Sequence, residues 1–382
     1  MQTLTVPQGS FQLSRFPVRN NEKLRAWDAA DEYVLQALEE YPDVEQQSVL
    51  ILNDRCGALS IALAETSQLK QLQMMSDSWL AHQALLFNLK NNDRQENSVK
   101  LLSSLQVADG LLDLVVIKIP KTLALLEEQL YRIRPNLHDK TRIIGAGMVK
   151  QIHTSTLKLF ERILGSTQTS LAKKKARLIH CQFDQCLILG SNPYPKHYIL
   201  ENTTIEVTNH ANVFSRDSLD IGTRFFLEHI PEFKQPLKIV DLGCGNGLLG
   251  IIAAQRNPAA ELVFVDESYM AIASAQINFQ TVFNTERKAE FLNTDCLTGV
   301  SESSVNLVLN NPPFHIQNAI SGDVARRMFS ESKKVLKKGG ELWVIGNRHL
   351  TYHKQLLSLF GHYTVIASNR KFVILKAVKA SV

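Results

Sequence analysis

Seven residues in the second half of the chain, DLGCGNG, combine one carboxylate with three glycines, at Asp241, Gly243, Gly245 and Gly247. They follow the short apolar run 237–240 and precede a helical apolar pattern. Glycine permits a positive φ and a close approach of ligand to backbone, and the N–H groups at a helix N-terminus bind negatively charged or polar groups. The segment therefore predicts a strand-to-helix turn that contacts a ligand.

Two further carboxylates stand at the ends of the next two predicted strands. Asp266 lies 25 residues after Asp241 and closes the run 261–265, and Asp295 follows a predicted strand near 289–292. The carboxyl ends of parallel strands meet at one edge of a sheet. One carboxylate there can accept hydrogen bonds from ribose hydroxyls and another from an adenine amino group. With the glycine turn, this spacing predicts a site for a nucleoside-type ligand.

The fourth predicted strand ends in Asn311-Pro312-Pro313-Phe314. Prolines just after a strand fix the backbone, and the Asn311 side-chain oxygen and the Pro312 carbonyl are acceptors that can hold both protons of an amino group. Such a grip directs the nitrogen lone pair at an electrophile, and Phe314 offers a face on which a planar ring can stack. The tetrapeptide therefore predicts chemistry on the amino nitrogen of a planar group.

A dinucleotide-binding enzyme is the competing interpretation of the glycine turn. Gly250 completes a G-x-x-G pattern from Gly247, so the turn alone does not decide between the two. The end of the fourth strand decides, because an Asn-Pro-Pro-Phe segment suits a substrate amine.

Strands that alternate with helices must position these residues. Apolar runs predict strands at 237–240, 261–265, 289–292, 305–309 and 341–346, with helices between them, and 363–367 and 371–378 read as an antiparallel hairpin at the sheet edge. This alternation is typical of a mostly parallel sheet covered on both faces. The predicted fold class is α/β.

The chain of 382 residues is long enough for two or three domains at ~150 residues each. The sequence pattern of its first half indicates a degenerate copy of the second half. The pair Ser78 and Asn88 matches Ser268 and Asn278 at an offset of 190, and Asp113-Leu-Val matches Asn306-Leu-Val at 193. Cys56-Gly57 matches Cys244-Gly245 at 188. We expect two tandem Rossmann-like domains, 1–190 and 191–382, joined near the turn-rich segment 190–197.

The first copy lacks the residues that could do chemistry. Its turn reads NDRCGAL with one glycine, Ser76 stands where the second copy has Asp266, and Lys118-Ile119-Pro120-Lys121 replaces the Asn-Pro-Pro-Phe segment. We expect this degenerate copy neither to bind the ligand nor to catalyse.

Charge is distributed unevenly along the first copy. Residues 1–117 hold 9 Lys+Arg against 15 Asp+Glu, whereas residues 118–177 hold 13 against 4. The whole-chain charge of +5 conceals this basic block. Clustered cations bind nucleic-acid phosphates without reading sequence, so the block predicts RNA contact. The candidate residues are Lys118, Lys121, Arg142, Lys150, Lys173, Lys174, Lys175 and Arg177.

Composition excludes several classes of protein. Apolar residues make up 45% and charged residues 21% of the chain, which is ordinary for a globular protein. Five scattered cysteines argue against a disulfide framework and, with no paired Cys-x-x-Cys spacing, against a zinc site. No apolar run approaches membrane-spanning length, and the N-terminus lacks a signal pattern. We expect a cytoplasmic protein without metal or membrane partner.

These motifs resemble the class I S-adenosylmethionine-dependent methyltransferases that carry an Asn-Pro-Pro-aromatic segment. The segments NNPPFH at 310–315, GELWVIGNRHLTYHKQLLSLFG at 340–361 and NRKFVILKAVK at 369–379 are similar to the ribosomal RNA guanine-N2 methyltransferases with duplicated domains. The opening LTVPQGSFQLSRFP is most similar to the members that act on large-subunit (23S) rRNA. The resemblance covers the whole chain.

The resemblance implies roles for the residues already singled out. Asp241, Gly243, Gly245 and Gly247 would line the methionine end of the cofactor S-adenosylmethionine, Asp266 would bind its ribose and Asp295 its adenine. Asn311 and the Pro312 carbonyl would hold the N2 amine of guanine, and Phe314 would stack on the base. The segment 214–223 would close over the methionine moiety, unless it is only the cap of a following helix. Methyl transfer would be a direct in-line displacement.

Three alternatives remain. A small-subunit (16S) rRNA guanine-N2 methyltransferase shares the duplicated domains. A protein-glutamine N5 methyltransferase shares the Asn-Pro-Pro segment, although it typically has Tyr at the position of Phe314 and lacks a degenerate copy. An RNA-binding assembly factor with an unused cofactor site is the non-enzymatic alternative, and the complete motif set argues against it.

Overall fold

The computed structural model of the chain describes residues 1–19, 22–40, 46–65, 69–284, 287–313 and 319–380, with the side chains of 319–322 excepted. The chain divides into two compact units, Met1–Tyr194 and Pro195–Val382, called the first and second unit below. Within the described ranges, no helix is both long and apolar enough to cross a membrane.

The first unit contains one seven-stranded sheet, flanked by helices and preceded by a hairpin. Its elements are β1 (Gln2–Val6), β2 (Gly9–Leu13), α1 (Ala29–Glu39), β3 (Ser48–Leu52), α2 (Ala58–Ala64), β4 (Gln71–Ser76), α3 (Trp79–Asn91), β5 (Lys100–Ser103), β6 (Leu114–Lys118), α4 (Leu123–Ile133), β7 (Arg142–Met148), α5 (Thr154–Ile163), β8 (Thr167–Thr169) and β9 (Ala176–Gln182). The strand order is β5-β4-β3-β6-β7-β9-β8, parallel except for β8 and β9.

The second unit repeats this plan. Its elements are β10 (Lys196–Ile199), β11 (Glu206–Asn209), α6 (Ile221–Glu228), β12 (Lys238–Leu242), α7 (Leu248–Arg256), β13 (Glu261–Asp266), α8 (Tyr269–Phe283), β14 (Ala289–Asn293), β15 (Val305–Asn310), α9 (Ala319–Val335), β16 (Leu336–Asn347), α10 (Tyr352–Phe360), β17 (Thr364–Ser368) and β18 (Phe372–Val378). The order β14-β13-β12-β15-β16-β18-β17 is that of the first sheet. The predicted α/β class, the duplication and the terminal antiparallel hairpin are confirmed.

Both sheets are apolar on both faces, as strands covered by helices on each side must be. In β3, Val49 and Ile51 enter one hydrophobic cluster and Leu50 and Leu52 enter another. In β12, likewise, Ile239 and Val240 belong to different clusters. Side chains alternate between faces along a strand, so each sheet separates two hydrophobic cores.

The two units share individual hydrogen bonds as well as topology. The Asn88 side chain donates to the Cys56 carbonyl at 2.9 Å, and the Asn278 side chain donates to the Asn246 carbonyl at 2.9 Å. Both pairs stand at an offset of 190. Each amide also bonds the preceding hairpin, at Ser14 in the first unit and Thr208 in the second. A conserved internal geometry of this kind makes the two turns comparable residue by residue.

One sequence alignment was wrong. Cys56-Gly57 corresponds to Asn246-Gly247, not to Cys244-Gly245. Gly57 and Gly247 both cap the helix that follows, each with a φ of 82°. Asn53 and Gly243, both with positive φ, start the two turns. The helix start, which needs a left-handed residue here, fixes the alignment, and a Cys-Gly pair elsewhere in the turn does not.

Candidate active site at the carboxyl edge of the second sheet

The glycine turn joins β12 to α7 and leaves an open concave backbone. Gly243, Gly245 and Gly247 all have positive φ, between 54° and 82°. A Cβ on Gly245 would meet no described atom within 4 Å, and one on Gly243 would meet only the end of the Met328 side chain. A Cβ on Gly247 would lie only 2.9 Å from the Cβ of Ala275. Gly243 and Gly245 therefore leave room for a ligand, whereas Gly247 allows close packing against α8.

Asp241 lies within β12 and is fully buried. Its Oδ2 accepts the backbone N–H of Gly250 at 2.8 Å, which ties the strand to α7. Its Oδ1 has no hydrogen-bond partner among the described residues. Burial raises the pKa of Asp241 to about 8, and the negative charge of Asp266 adds to this effect. A cationic group beside Oδ1 would satisfy this carboxylate, so the residue fits an ammonium ligand.

Asp266 closes β13 and supports the glycine turn. Its Oδ2 accepts the N–H of Gly245 at 3.0 Å and its Oδ1 accepts the N–H of Ser268 at 3.0 Å. The carboxylate is half-buried, at the edge where β12 and β13 end side by side. It therefore lies where the turn and the next strand end meet.

Asp295 follows β14 and is buried, with its carboxylate in an ion pair with Arg327 of α9. The sequence did not indicate this partner, because Arg327 lies 32 residues further along a helix. The pair connects the third strand end to α9 and holds Asp295 in place.

The end of β15 supplies two asparagines. Asn310 is fully buried, and its Nδ2 donates to the Leu242 carbonyl at 2.7 Å, which joins β15 to the start of the glycine turn. Asn311 is half-buried, and its Nδ2 donates to Thr223 Oγ1 at 3.0 Å. The Oδ1 atoms of both asparagines are buried without a hydrogen-bond partner in the described parts of the chain. Pro312 is buried as well, and Phe314 lies outside the described residues.

Three acceptor oxygens without partners thus lie at the ends of two adjacent strands: Oδ1 of Asp241, Asn310 and Asn311. Leaving a buried acceptor unsatisfied costs about 1–3 kcal/mol, and native proteins rarely do so. Strand β12 pairs with β13 on one side and β15 on the other, which is the crossover point where open α/β sheets bind ligands. The arrangement is typical of a site whose ligand brings hydrogen-bond donors.

Asn310 and Thr223 are the site residues that sequence reasoning missed. The asparagine was quoted within a motif but given no role, and its only sequence signal is a polar residue that ends an otherwise apolar strand. Thr223 lay in a segment with two interpretations. The structure confirms the helix cap, and closure over the methionine moiety stays a prediction. Asp220 caps α6 by accepting the Thr223 N–H at 2.8 Å, and the Thr223 hydroxyl contacts the Asn311 amide.

The same positions in the first unit are filled. The strand registers place Ile51 at the position of Asp241, Ile117 at that of Asn310 and Lys118 at that of Asn311. The Lys118 ammonium bonds Asp31 at 2.6 Å and Asp28 at 2.8 Å. Apolar side chains and an ion pair therefore replace the three partnerless acceptors.

The predicted basic residues do not form one group. Exposed side chains near the carboxyl end of the first sheet are those of Lys121, Lys150, Lys173, Lys174 and Lys175, with Arg177 half-buried beside them. Arg142 begins β7 and so lies at the opposite end of the sheet. Lys118 is buried in its ion pair with a side-chain exposure of only 12%. Its ammonium does not face solvent, which removes it from the set of cations that RNA could reach.

Family models match both units. The RLMG N-terminal domain matches residues 1–185, and the methyltransferase small domain matches residues 204–376. Among solved structures, the 16S rRNA N2 G1207 methyltransferase (RsmC) of T. thermophilus, in complex with AdoMet and guanosine, has a TM-score of 0.74. It is 20% identical and the match covers 99% of this chain and 97% of that chain. This likeness concerns the fold, including its duplication.

Relatives with curated names match over nearly the full length. The ribosomal RNA large subunit methyltransferase G of Streptomyces avermitilis is 49% identical, over 98% of this chain and 99% of the relative. The enzyme of the same name from Yersinia enterocolitica is 46% identical, over 97% and 93%. With both units matched and this level of identity, the chain belongs to the ribosomal RNA large subunit methyltransferase G family.

Proposed function

We propose that this protein methylates the N2 amine of a guanine in large-subunit ribosomal RNA by direct in-line transfer. The observation that carries the proposal is the buried Asn311 Oδ1, an acceptor without a described partner at the end of β15. Asn311 Oδ1 and the Pro312 carbonyl each accept one N–H of the exocyclic amine. The nitrogen lone pair then points away from both, toward the glycine turn.

S-adenosylmethionine is the cofactor, and when bound it supplies an electrophilic methyl group on a sulfonium. The second unit fits it: Asp241 Oδ1 meets the cationic amino group, and the open backbone at Gly243 and Gly245 lies along the methionine moiety. Asp266 accepts from the ribose hydroxyls and Asp295 from the adenine amino group. In the first unit, Asn53 stands at the position of Gly243, and its side chain donates to the Lys118 carbonyl across the equivalent cradle.

Catalysis rests mainly on orientation. A positioned amine needs no strong base. Its nitrogen bonds to the methyl carbon as the carbon–sulfur bond breaks, which leaves S-adenosylhomocysteine, and the methylated nitrogen then loses one proton to water. Orientation of two reactants in one site contributes about 7–11 kcal/mol to the lowering of a barrier. The target guanine must be unstacked to reach a strand-end pocket, and Phe314 is proposed to stack on it once it is there.

The first unit is proposed to bind RNA phosphates through its exposed cations. Lys173 to Ala176 close a two-residue hairpin turn, with Lys174 and Lys175 at positive φ. This backbone conformation usually selects Asn or Gly, yet both positions carry exposed lysines. Lys121 and Lys150 follow β6 and β7 at the carboxyl edge of the same sheet. The cluster is suited to sequence-independent contact with a phosphate backbone.

The test is methylation in vitro with labelled cofactor, offered separately to unmodified large- and small-subunit rRNA, with nucleoside analysis of the product. We expect label in large-subunit RNA as N2-methylguanosine. Label in small-subunit RNA alone would show that the target guanine lies there and not in large-subunit RNA. Label on another atom or on protein would overturn the amine assignment. Asp266→Ala in the same assay serves as the cofactor-site control.

A further inference from the structure

The amide of Asn311 can face the substrate in two ways, and only one of them is productive. With Oδ1 toward the site it accepts from an amine, and with Nδ2 toward the site its own protons oppose those of the amine. In the structure Nδ2 donates to Thr223 Oγ1 at 3.0 Å, which leaves Oδ1 for the substrate. What fixes the orientation of Thr223 therefore matters for the reaction.

A lone threonine hydroxyl would not decide the question, because it can either donate or accept. Here the hydroxyl of Thr223 lies 3.3 Å from Asp220 Oδ2, and the Thr223 backbone N–H donates to the same oxygen at 2.8 Å. A carboxylate only accepts. The hydroxyl gives its one proton to Asp220, so it can only accept from Asn311, and the amide is held with Nδ2 toward α6.

The first unit shows that this contact belongs to the fold and that its chemistry was changed. Asp28 caps α1 as Asp220 caps α6, and Asp31 stands three residues after its cap as Thr223 does. Asp31 bonds Lys118, the residue at the position of Asn311. The same helix turn meets the same strand end in both units, but only the second leaves an acceptor for a substrate.

We propose that Thr223 and Asp220 are positioning residues, a relay that sets the amide of Asn311 so that its oxygen faces the target amine. This inference rests on the proposed function, since it assigns the relay to the amine-binding step. The relay is assigned to the orientation of the substrate amine, so its loss should leave the affinity for the cofactor unchanged.

The test compares Thr223→Val, which keeps the shape and loses the hydroxyl, with Thr223→Ser, which restores it. We expect Thr223→Val to lower kcat by about 10- to 100-fold, the range for a misplaced reacting group, with the calorimetric Kd for S-adenosylmethionine within about twofold of the wild type. Thr223→Ser should return kcat to within about threefold of the wild type. Thr281→Val, at an exposed threonine of α8, is the control for the substitution itself.

A double-mutant cycle separates positioning from a merely structural role. Once Asn311→Ala has removed the amide, Thr223→Val should cost nothing further. A full additional loss in the double variant would overturn the relay, as would a wild-type kcat in Thr223→Val. Thr223→Ala repeats the comparison with a strong helix former, so the result does not depend on the folding of one variant. If the wild-type protein forms no N2-methylguanosine, the proposed function itself fails. If the wild type is active, either of the two outcomes above overturns the relay alone.

Discussion

The second unit keeps three buried acceptors without partners at the carboxyl edge of its sheet, and the first unit fills the same positions. Ile51 and Ile117 remove two of the acceptors, and Lys118 joins Asp31 where Asn311 meets Thr223. The sheet order and the tethering asparagines are nevertheless the same. The fold therefore does not require these three acceptors, because the first unit forms the same sheet without them.

Of the differences between the two units, the one at position 311 should have the largest effect on activity. Asn311→Ala should lower kcat by about 10³-fold, since loss of one positioned hydrogen-bonding group in an active site costs about 10²–10³-fold and here orientation carries most of the rate. The Kd for S-adenosylmethionine, measured by calorimetry, should stay within about twofold. Equal losses in kcat and in cofactor binding would count against the amine-gripping role.

The matching position in the first unit should affect stability and leave the chemistry alone. Lys118→Met leaves Asp31 buried beside Asp28 without a counter-charge. We expect the free energy of unfolding to fall by about 3 kcal/mol, near the lower end for a broken buried pair, because Asp28 is half exposed. Chemical denaturation measures it, with kcat unchanged at temperatures where the protein is folded.

The deficit of the Lys118→Met variant should depend on pH. Burial already raises the pKa of Asp31 in spite of the opposing Lys118 ammonium, and loss of that ammonium raises it further. A carboxyl with a raised folded pKa loses stability as pH rises above its unfolded value. The loss in free energy of unfolding relative to the wild type should therefore be larger at pH 8 than at pH 5. Lys121→Met, at an exposed lysine three residues on, should stay within about 0.5 kcal/mol; an equal deficit there would remove the ion pair as the cause.

Sequence reasoning recovered the topology and the strand-end positions, because apolar periodicity and glycine turns are local signals. It correctly assigned Lys118 to the position equivalent to Asn311. It could not predict the ion-pair partner of Lys118, since Asp28 lies 90 residues earlier. It aligned Cys56 with the wrong residue because a Cys-Gly pair looks alike wherever it stands in a turn. The contact between α6 and the end of β15 could not be predicted either, because Thr223 and Asn311 lie 88 residues apart in the sequence.

A smaller effect is expected at the second strand end. Asp266→Ala should weaken S-adenosylmethionine binding by about 10- to 100-fold, through lost ribose contacts and loss of the bond that holds the Gly245 N–H. Calorimetry measures the Kd. The control is Ser76→Ala at the equivalent position of the first unit. The residues just before the two positions make the same backbone hydrogen bond, from Asn53 N–H to the Met75 carbonyl and from Gly243 N–H to the Val265 carbonyl. Unchanged affinity in Asp266→Ala would withdraw the ribose assignment.

The smallest effect is expected at the lysine turn of the first unit, which is proposed to contact RNA. Changing Lys173, Lys174 and Lys175 together to Gln should lower RNA affinity by about tenfold and reduce the slope of log K against log salt by up to about 2, at about 0.7 per lost phosphate contact on single strands. Lys174 already pairs with Glu32 and Lys173 with Gln36, so Lys175→Gln alone should account for the largest share. Lys140→Gln, at an exposed lysine just before β7 at the opposite end of the sheet, removes one charge as Lys175→Gln does and is its matched control. An unaltered slope in the triple variant would exclude this turn from the RNA contact. Equal changes in Lys140→Gln and Lys175→Gln would mean that net charge and not this turn attracts RNA.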